Sequence, residues 1–209
     1  MKVSLFTPTH DPQYLAAIYR ELKEQPFDEW VILANGGNID INQLAPEILT
    51  DNRVNLIFSD ITGSVGALKK LACEQCTGDI LVEMDHDDLL IAPGIQRIKE
   101  AFEDPKIVFA YSNCSQFMDG DVYHPPFDEK YGWIYKDDVI HNNRKYRHPI
   151  CPSPHPSNVS IIHFAPDHFR SWRRDAYEQC GGHDPNLEIL DDEDLMCKLF
   201  LLGEFKHIK

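Results

Sequence analysis

Over residues 1–111, short apolar runs of strand length alternate with stretches whose apolar residues recur every three or four positions. No other feature of the chain constrains the fold as much. Val3-Ser-Leu-Phe6, Trp30-Val-Ile-Leu-Ala34, Val54-Asn-Leu-Ile-Phe58, Asp79-Ile-Leu-Val-Glu-Met84 and Ile107-Val-Phe-Ala-Tyr111 read as five strands. Between them, Leu15, Ile18 and Leu22 form one helical face, entered by Asp11-Pro12 as N-cap and first helical position. Val65, Leu68 and Ala72 form another, started by Ser64 and stopped near Gly78. Ile91, Ile95, Ile98 and Phe102 form a third, with Pro93 near its start and Asp88 as a candidate cap. This alternation predicts an α/β fold with a mostly parallel central sheet flanked by helices on both faces.

The pattern breaks at residues 119–168, which are rich in proline (Pro125, Pro126, Pro149, Pro152, Pro154, Pro156, Pro166) and nearly free of periodicity. Only Val159-Ser-Ile-Ile162 suggests a strand there. A long loop-rich segment inside a compact chain is often functional. Beyond it, Phe169, Trp172, Ala176 and Cys180 make a helical stripe ended by Gly181-Gly182, and Leu195, Leu199 and Leu202 mark a last helix before Gly203.

Charge narrows the function classes. A formal net charge of -14 over 209 residues offers no basic field to attract a phosphate backbone, which argues against a general nucleic-acid binder. Any anionic ligand therefore needs local help from a metal ion, a helix N-terminus or a few placed cations. No apolar stretch approaches the roughly 18 residues that a membrane span requires. The N-terminus lacks the long apolar run of a secretory signal and the six cysteines form no dense framework, so a reduced, cytoplasmic setting is expected, with peripheral membrane attachment left open.

Two acidic runs are the strongest chemical candidates. Asp85-His-Asp-Asp88 directly follows the fourth strand, and in open α/β sheets ligands bind at the carboxyl ends of the strands. Hard oxygen ligands suit Mg²⁺ or Mn²⁺; a solvated loop explains the same residues equally well. Asp191-Asp-Glu-Asp194 opens the last helix, where the helix dipole alone could account for four acids; alternatively one of them is a general base. Cys73-Glu-Gln-Cys76 lacks the second pair of a zinc site and reads as ordinary helix. His141, His148, His155, His163 and His168 show no ligand spacing, and Arg144-Lys-Tyr-Arg147 is a small basic island. Gly36-Gly37 and Gly63/Gly66 match neither a Walker A nor a dinucleotide-binding pattern.

Taken in order, these segments resemble family 2 glycosyltransferases of the GT-A fold. Leu5-Phe-Thr-Pro-Thr-His-Asp11 is similar to that family's strand-end P-T-x-N, and Trp30–Gly37 falls where the family has a strand followed by D-D-G-S. Gly66-Ala-Leu-Lys-Lys70 and Gly78-Asp79 line up with its A-R-N and G-D landmarks. Met84-Asp-His-Asp-Asp88 matches the L-D-x-D-D metal motif, the family's DXD motif. Arg173–Asp184 followed by Asp191-Asp-Glu-Asp-Leu195 is similar to G-G-F-D and E-D-x-D-L. Each motif alone is weak; five in the right order, over about residues 3–208, are specific.

The resemblance implies one GT-A domain over 1–209, with a nucleotide-sugar-binding half (1–111) and an acceptor-side half (112–209) whose C-terminus is expected to be truncated. It implies an inverting, metal-dependent hexosyl transfer from a UDP- or GDP-sugar to a glycan, lipid-linked or other hydroxyl acceptor. Thr7, Pro8, Thr9, Asp11, Asn35, Lys69, Asp85 and His86 would bind the donor. Asp87 and Asp85 would hold Mn²⁺ or Mg²⁺, and Asp192, with Asp191 beside it, would deprotonate the acceptor. Three of the matched segments depart from the family pattern. Ala34-Asn35 replaces an acidic pair, Lys69-Lys70 replaces Arg-Asn with loss of the planar fork, and Asp191 stands in place of Glu. A non-catalytic nucleotide-sugar-binding module is the rival reading, and a nucleotidyltransferase a more distant one.

Overall fold

A computed structural model describes residues 1–36, 39–40, 44–118, 121–122, 129–160 and 166–209, with backbone alone at 117–118 and 121–122. Gly37, Pro125-Pro126, Ile161-Ile162 and His163 lie outside the described residues.

The five expected strands form, as β1 (Val3–Thr9), β2 (Glu29–Asn35), β3 (Val54–Ser59), β4 (Ile80–Glu83) and β5 (Ile107–Tyr111). Between and after them come α1 (Leu15–Leu22), α2 (Pro46–Thr50), α3 (Val65–Gln75) and α4 (Gly94–Ala101). Two short strands, β6 (Phe117–Met118) and β7 (Asp121–Val122), pair antiparallel, as do the longer β8 (Ile134–His141) and β9 (Arg144–Ile150). The chain then forms α5 (Pro156–Val159), β10 (Arg170–Arg173), α6 (Arg174–Gln179), α7 (Asp191–Phe200) and β11 (Glu204–His207).

Seven strands make one sheet in the order β11-β5-β10-β4-β1-β2-β3. All run parallel except β10, which is antiparallel to both β4 and β5. Successive residues of a strand point to opposite faces, and here both faces are covered. Val3, Leu5, Trp30, Ile32, Ile80 and Val82 meet α1 and α4, while Phe6, Val31, Leu33 and Leu81 meet α3, α6 and α7. Burial on both faces explains why these strands read as unbroken apolar runs rather than alternating ones.

Several local expectations are corrected. Asp11 does not cap α1, because its carboxylate accepts from the backbone and side-chain nitrogens of Gln13 and so closes a turn; the helix begins at Leu15. Asp88 does not start the next helix, whose N-cap is Pro93. Val159 belongs to a short helix rather than a strand, since His155 caps it and Pro156 supplies its first position. The stripe Phe169–Cys180 is not one helix: its first part is strand β10, which fills the gap between β4 and β5, and only Arg174–Gln179 is helical. The β8–β9 hairpin was not visible as periodicity, but its turn, Asn142-Asn143, has φ of 49° and 59°, the left-handed pair that a two-residue hairpin loop requires.

The helix starts at Ser64 as expected, and Ser64 proves to be its N-cap, its Oγ accepting from Ala67 N at 3.1 Å. Two residues later, Gly66 lies against the segment that leads into α7. Its N–H donates to Leu187 O at 3.2 Å, and a Cβ there would stand 2.1 Å from Asp184 O. Gly66→Ala therefore sets a helix-propensity gain of about 1 kcal/mol against a backbone overlap that must move the loop. The overlap should win, with a net loss of about 1–2 kcal/mol in urea unfolding; a stabilised variant would contradict this packing.

Candidate active site

Parallel strands end at the same edge of a sheet, so β1, β2 and β4 deliver Thr7–Thr9, Ala34-Asn35 and Glu83–Asp88 side by side. The antiparallel β10 does the converse. Its first residue, Arg170, and the Asp167-His168 step before it arrive at that same edge, next to the end of β4. The loop after α6 then returns the chain so that α7 begins there with Asp191-Asp192. Hence the end of β4 and the start of α7, about a hundred residues apart in sequence, meet around the buried cations Lys69 and Arg170.

Glu83 is the centre of this arrangement. It is 1% exposed, and its two oxygens meet Lys69 Nζ and, at 3.4 Å, Arg170 Nε. Burial pushes the Glu83 carboxyl up, but the charges of Lys69 and Arg170 outweigh it and hold the group below the usual carboxylate range. Each cation continues to a second acid. Lys69 Nζ lies 3.5 Å from Asp191 Oδ2, and Arg170 Nη1 donates to Asp192 Oδ2 at 2.5 Å.

The acids of α7 differ in setting. Asp191 is buried, and desolvation raises its pKa despite Lys69. Asp192 keeps a 20% exposed side chain; burial pushes its pKa up, yet Arg170 overcomes this and lowers it. Its other oxygen accepts from Glu193 N at 2.8 Å, which fixes the carboxylate's orientation. His183, under the same site, is driven down to about 3 by burial and so stays neutral.

Arg170 also donates from Nη2 to His168 Nε2 at 2.6 Å. Because a guanidinium has no acceptor, Nε2 must accept, and a neutral ring then carries its proton on Nδ1. That Nδ1 is buried without a hydrogen bond, 3.3 Å from Asp88 Oδ2, while Nε2 stands 3.8 Å from Asp85 Oδ2. Ligand atoms of Asp85, Asp88 and His168 lie within 4.8 Å of one another. Burial pushes Asp88 up to about 6, with His168 opposing and the carboxylates of Asp85, Asp87 and Asp167 adding to the rise. Two carboxylates and an imidazole within this compass fit a divalent cation such as Mn²⁺ when the ring turns an unprotonated nitrogen to it.

The expected donor residues spread along the same edge. Asn35 lines a pocket of about 230 Å³ with Ala34, Ile39, Phe58, Ser59 and Asp60, at the ends of β2 and β3. His86 packs edge-on against His10, centroids 4.9 Å apart. Pro8 is half-buried, whereas Thr7 is buried and accepts from Trp30 Nε1 at 2.9 Å. Thr9 Oγ1 is likewise turned inward, donating to Asp11 O at 2.7 Å. Lys69 is held between Glu83 and Asp191, and Asp87 is exposed beside the Asp85–Asp88–His168 trio. Sequence reasoning did not single out Glu83, His168 or Arg170 as site residues. Only Glu83 left a signal there, as the one charge inside an apolar strand.

With this geometry in place, the family is clear. The chain belongs to glycosyl transferase family 2, whose model matches residues 4–181. No curated protein matches it in sequence comparison. Among solved structures, it is similar to S. aureus TarS 1-349 (TM-score 0.70, 13% identity, 99% of this chain and 58% of that one). The same TarS fragment in complex with UDP-GlcNAc gives TM-score 0.70 at 13% identity, covering 99% of this chain and 56% of that one. It is also similar to the mannosyltransferase PcManGT from Pyrobaculum calidifontis in complex with GDP-Man and Mn²⁺, with TM-score 0.63 and 15% identity over 99% of this chain and 54% of that one. The chain spans a little over half the length of these structures. Its architecture is the mostly parallel, helix-flanked sheet of GT-A glycosyltransferases. Among the described residues no helix is long and apolar enough to cross a membrane.

Proposed function

We propose that the chain transfers a hexose from a UDP- or GDP-sugar to an acceptor hydroxyl, with inversion at the anomeric carbon and with a divalent cation bound. One observation carries this reading: Arg170 touches both Asp192 and His168, which sets a solvent-reachable carboxylate beside a cluster suited to a cation. The donor classes are supported by the relatives, whose structures hold UDP-GlcNAc and GDP-Man.

Asp85, Asp88 and His168 would hold Mn²⁺ or Mg²⁺, with exposed Asp87 at the rim. When bound, the cation supplies charge neutralisation for the departing nucleoside diphosphate. A ligating imidazole must offer an unprotonated nitrogen, so loading the site exchanges the Arg170–His168 contact for the ion. The pocket containing Asn35 would receive the nucleobase side of the donor, with Pro8 and His86 along the sheet edge.

Asp192 is the general base. Lowered by Arg170, it is ionised throughout the neutral range and oriented by Glu193 N. As the acceptor oxygen forms its bond to the anomeric carbon, the acceptor proton passes to Asp192 and the bond to the diphosphate oxygen breaks, its electron pair leaving with the nucleotide. Asp191, buried against Lys69, supports this site from behind.

Calorimetric titration with UDP and with GDP, with and without Mn²⁺, tests the donor site. At least one nucleotide should bind about tenfold or more tightly with the metal, a difference of about 1.4 kcal/mol. Equal affinity for both with and without Mn²⁺ would sink the proposal.

A further inference from the structure

We propose that Glu83 is a positioning residue for the base, by holding Lys69 against Asp191 and by sharing Arg170 with Asp192. The inference rests on the transferase reading above for its kinetic part, and on geometry alone for the rest.

The case begins with an oddity of β4. Ile80, Leu81, Val82 and Met84 are apolar and fully or almost fully buried, as a central strand requires, yet Glu83 among them is buried to the same degree. A carboxylate there is tolerated only because two cations reach it. Stability alone gives little reason for such a trio, since well-packed apolar residues of similar volume often serve as well or better. Apolar residues could not, however, hold two cations in place at the end of the strand.

The charge count shows what Glu83 adds. Three carboxylates (Glu83, Asp191, Asp192) share two cations (Lys69, Arg170), so Arg170 is divided between Glu83 and Asp192. Without the Glu83 charge, the cations and α7 acids would pair one to one. Arg170 would then move fully onto Asp192, away from Glu83 and His168, and tie up the carboxylate that must take the acceptor proton. Because two anions would still balance two cations, such a variant should fold.

The test compares Glu83→Gln and Glu83→Asp with the wild type, using release of nucleotide from UDP-GlcNAc and GDP-mannose in Mn²⁺ and calorimetric binding of UDP and GDP. Glu83→Gln should lose about 100-fold in kcat, of the size expected for a displaced general base, while the nucleotide Kd stays within about threefold. Glu83→Asp, which restores the charge on a shorter arm, should recover about tenfold of that loss. A merely structural Glu83 would instead lower the melting temperature and leave kcat of the folded protein unchanged. Either variant folding with wild-type kcat overturns the proposal, and if Glu83→Gln does not fold, Glu83→Asp decides by the same criterion. A wild type that releases neither nucleotide defeats the transferase reading instead. In that event the ¹⁵N spectrum of the Arg170 guanidinium decides: in Glu83→Gln its Nη signals should stay separate and shift as the group is drawn onto Asp192, and an unchanged spectrum overturns the positioning role.

Discussion

Asp192→Asn is expected to lower kcat for sugar transfer by about 10³-fold while leaving the affinity for nucleotide and Mn²⁺ within about threefold. The side chain keeps its shape, so the α7 N-terminus should hold its place, and the Glu193 N–H still finds an oxygen. What disappears is the capacity to accept a proton. Arg170 loses one partner but retains Glu83, and Asp192 is part-exposed, so the fold should survive with little change. Binding is predicted to be spared because the cation cluster is formed by Asp85, Asp88 and His168, on the far side of Arg170. Initial rates and calorimetry on the same preparation separate the two effects. Wild-type turnover in this variant would remove Asp192 as the base and redirect attention to Asp191.

The second large effect is on stability. Arg170 is 3% exposed and its guanidinium serves Glu83, Asp192 and His168 at once. Arg170→Ala leaves Glu83 buried with Lys69 as its single cation and strips Asp192 of its partner. Breaking a buried pair from one side costs about 3–5 kcal/mol, far more than a surface ion pair contributes, and urea unfolding should register a loss of that size. The pH dependence has a definite sign. The folded-state pKa of Glu83 is depressed, so its contribution is present above the ordinary glutamate range and is lost as pH falls through the folded value. The gap between wild type and Arg170→Ala should therefore be widest near neutrality and shrink on acidification below the ordinary glutamate pKa of about 4.3. A gap that grew with acid would contradict the ion-pair account.

Much of the fold was legible because β1, β2, β4 and β5 are buried on both faces, and such strands write themselves as apolar runs. The start of α3 at Ser64 was legible for a different reason, since the cap bond that fixes it is local. The failures are tertiary. Strand β10 exists because a gap between β4 and β5 is filled by pairing on both sides, which no local pattern encodes, and the spacing of Phe169, Trp172 and Ala176 imitates a helix. The hairpin at 134–150 was missed because its alternation is blurred by a register shift between Lys136 and Val139; the Asn142-Asn143 turn was the readable clue.

The site divides in the same way. Both acidic runs could be picked out by composition, and their positions after a strand and at a helix start agreed with a ligand edge. That the end of β4 and the start of α7 meet depends on the direction of β10, which brings His168 and Arg170 to the end of β4. Glu83 could have been suspected from the sequence, because a lone charge in a buried strand requires a partner. Lys69, expected beside the donor, lies between Glu83 and Asp191, so its cationic end belongs at least as much to the acid pair as to a diphosphate.

The most direct measurement is release of free nucleotide from UDP-GlcNAc and from GDP-mannose by the purified chain, followed with Mn²⁺ present and after its removal by EDTA. The account predicts Mn²⁺-dependent release from at least one donor, abolished by EDTA, restored by added Mn²⁺ and reduced by about 10³-fold in Asp192→Asn. Release that is indifferent to EDTA and to Asp192→Asn, or no release from either donor, would contradict it.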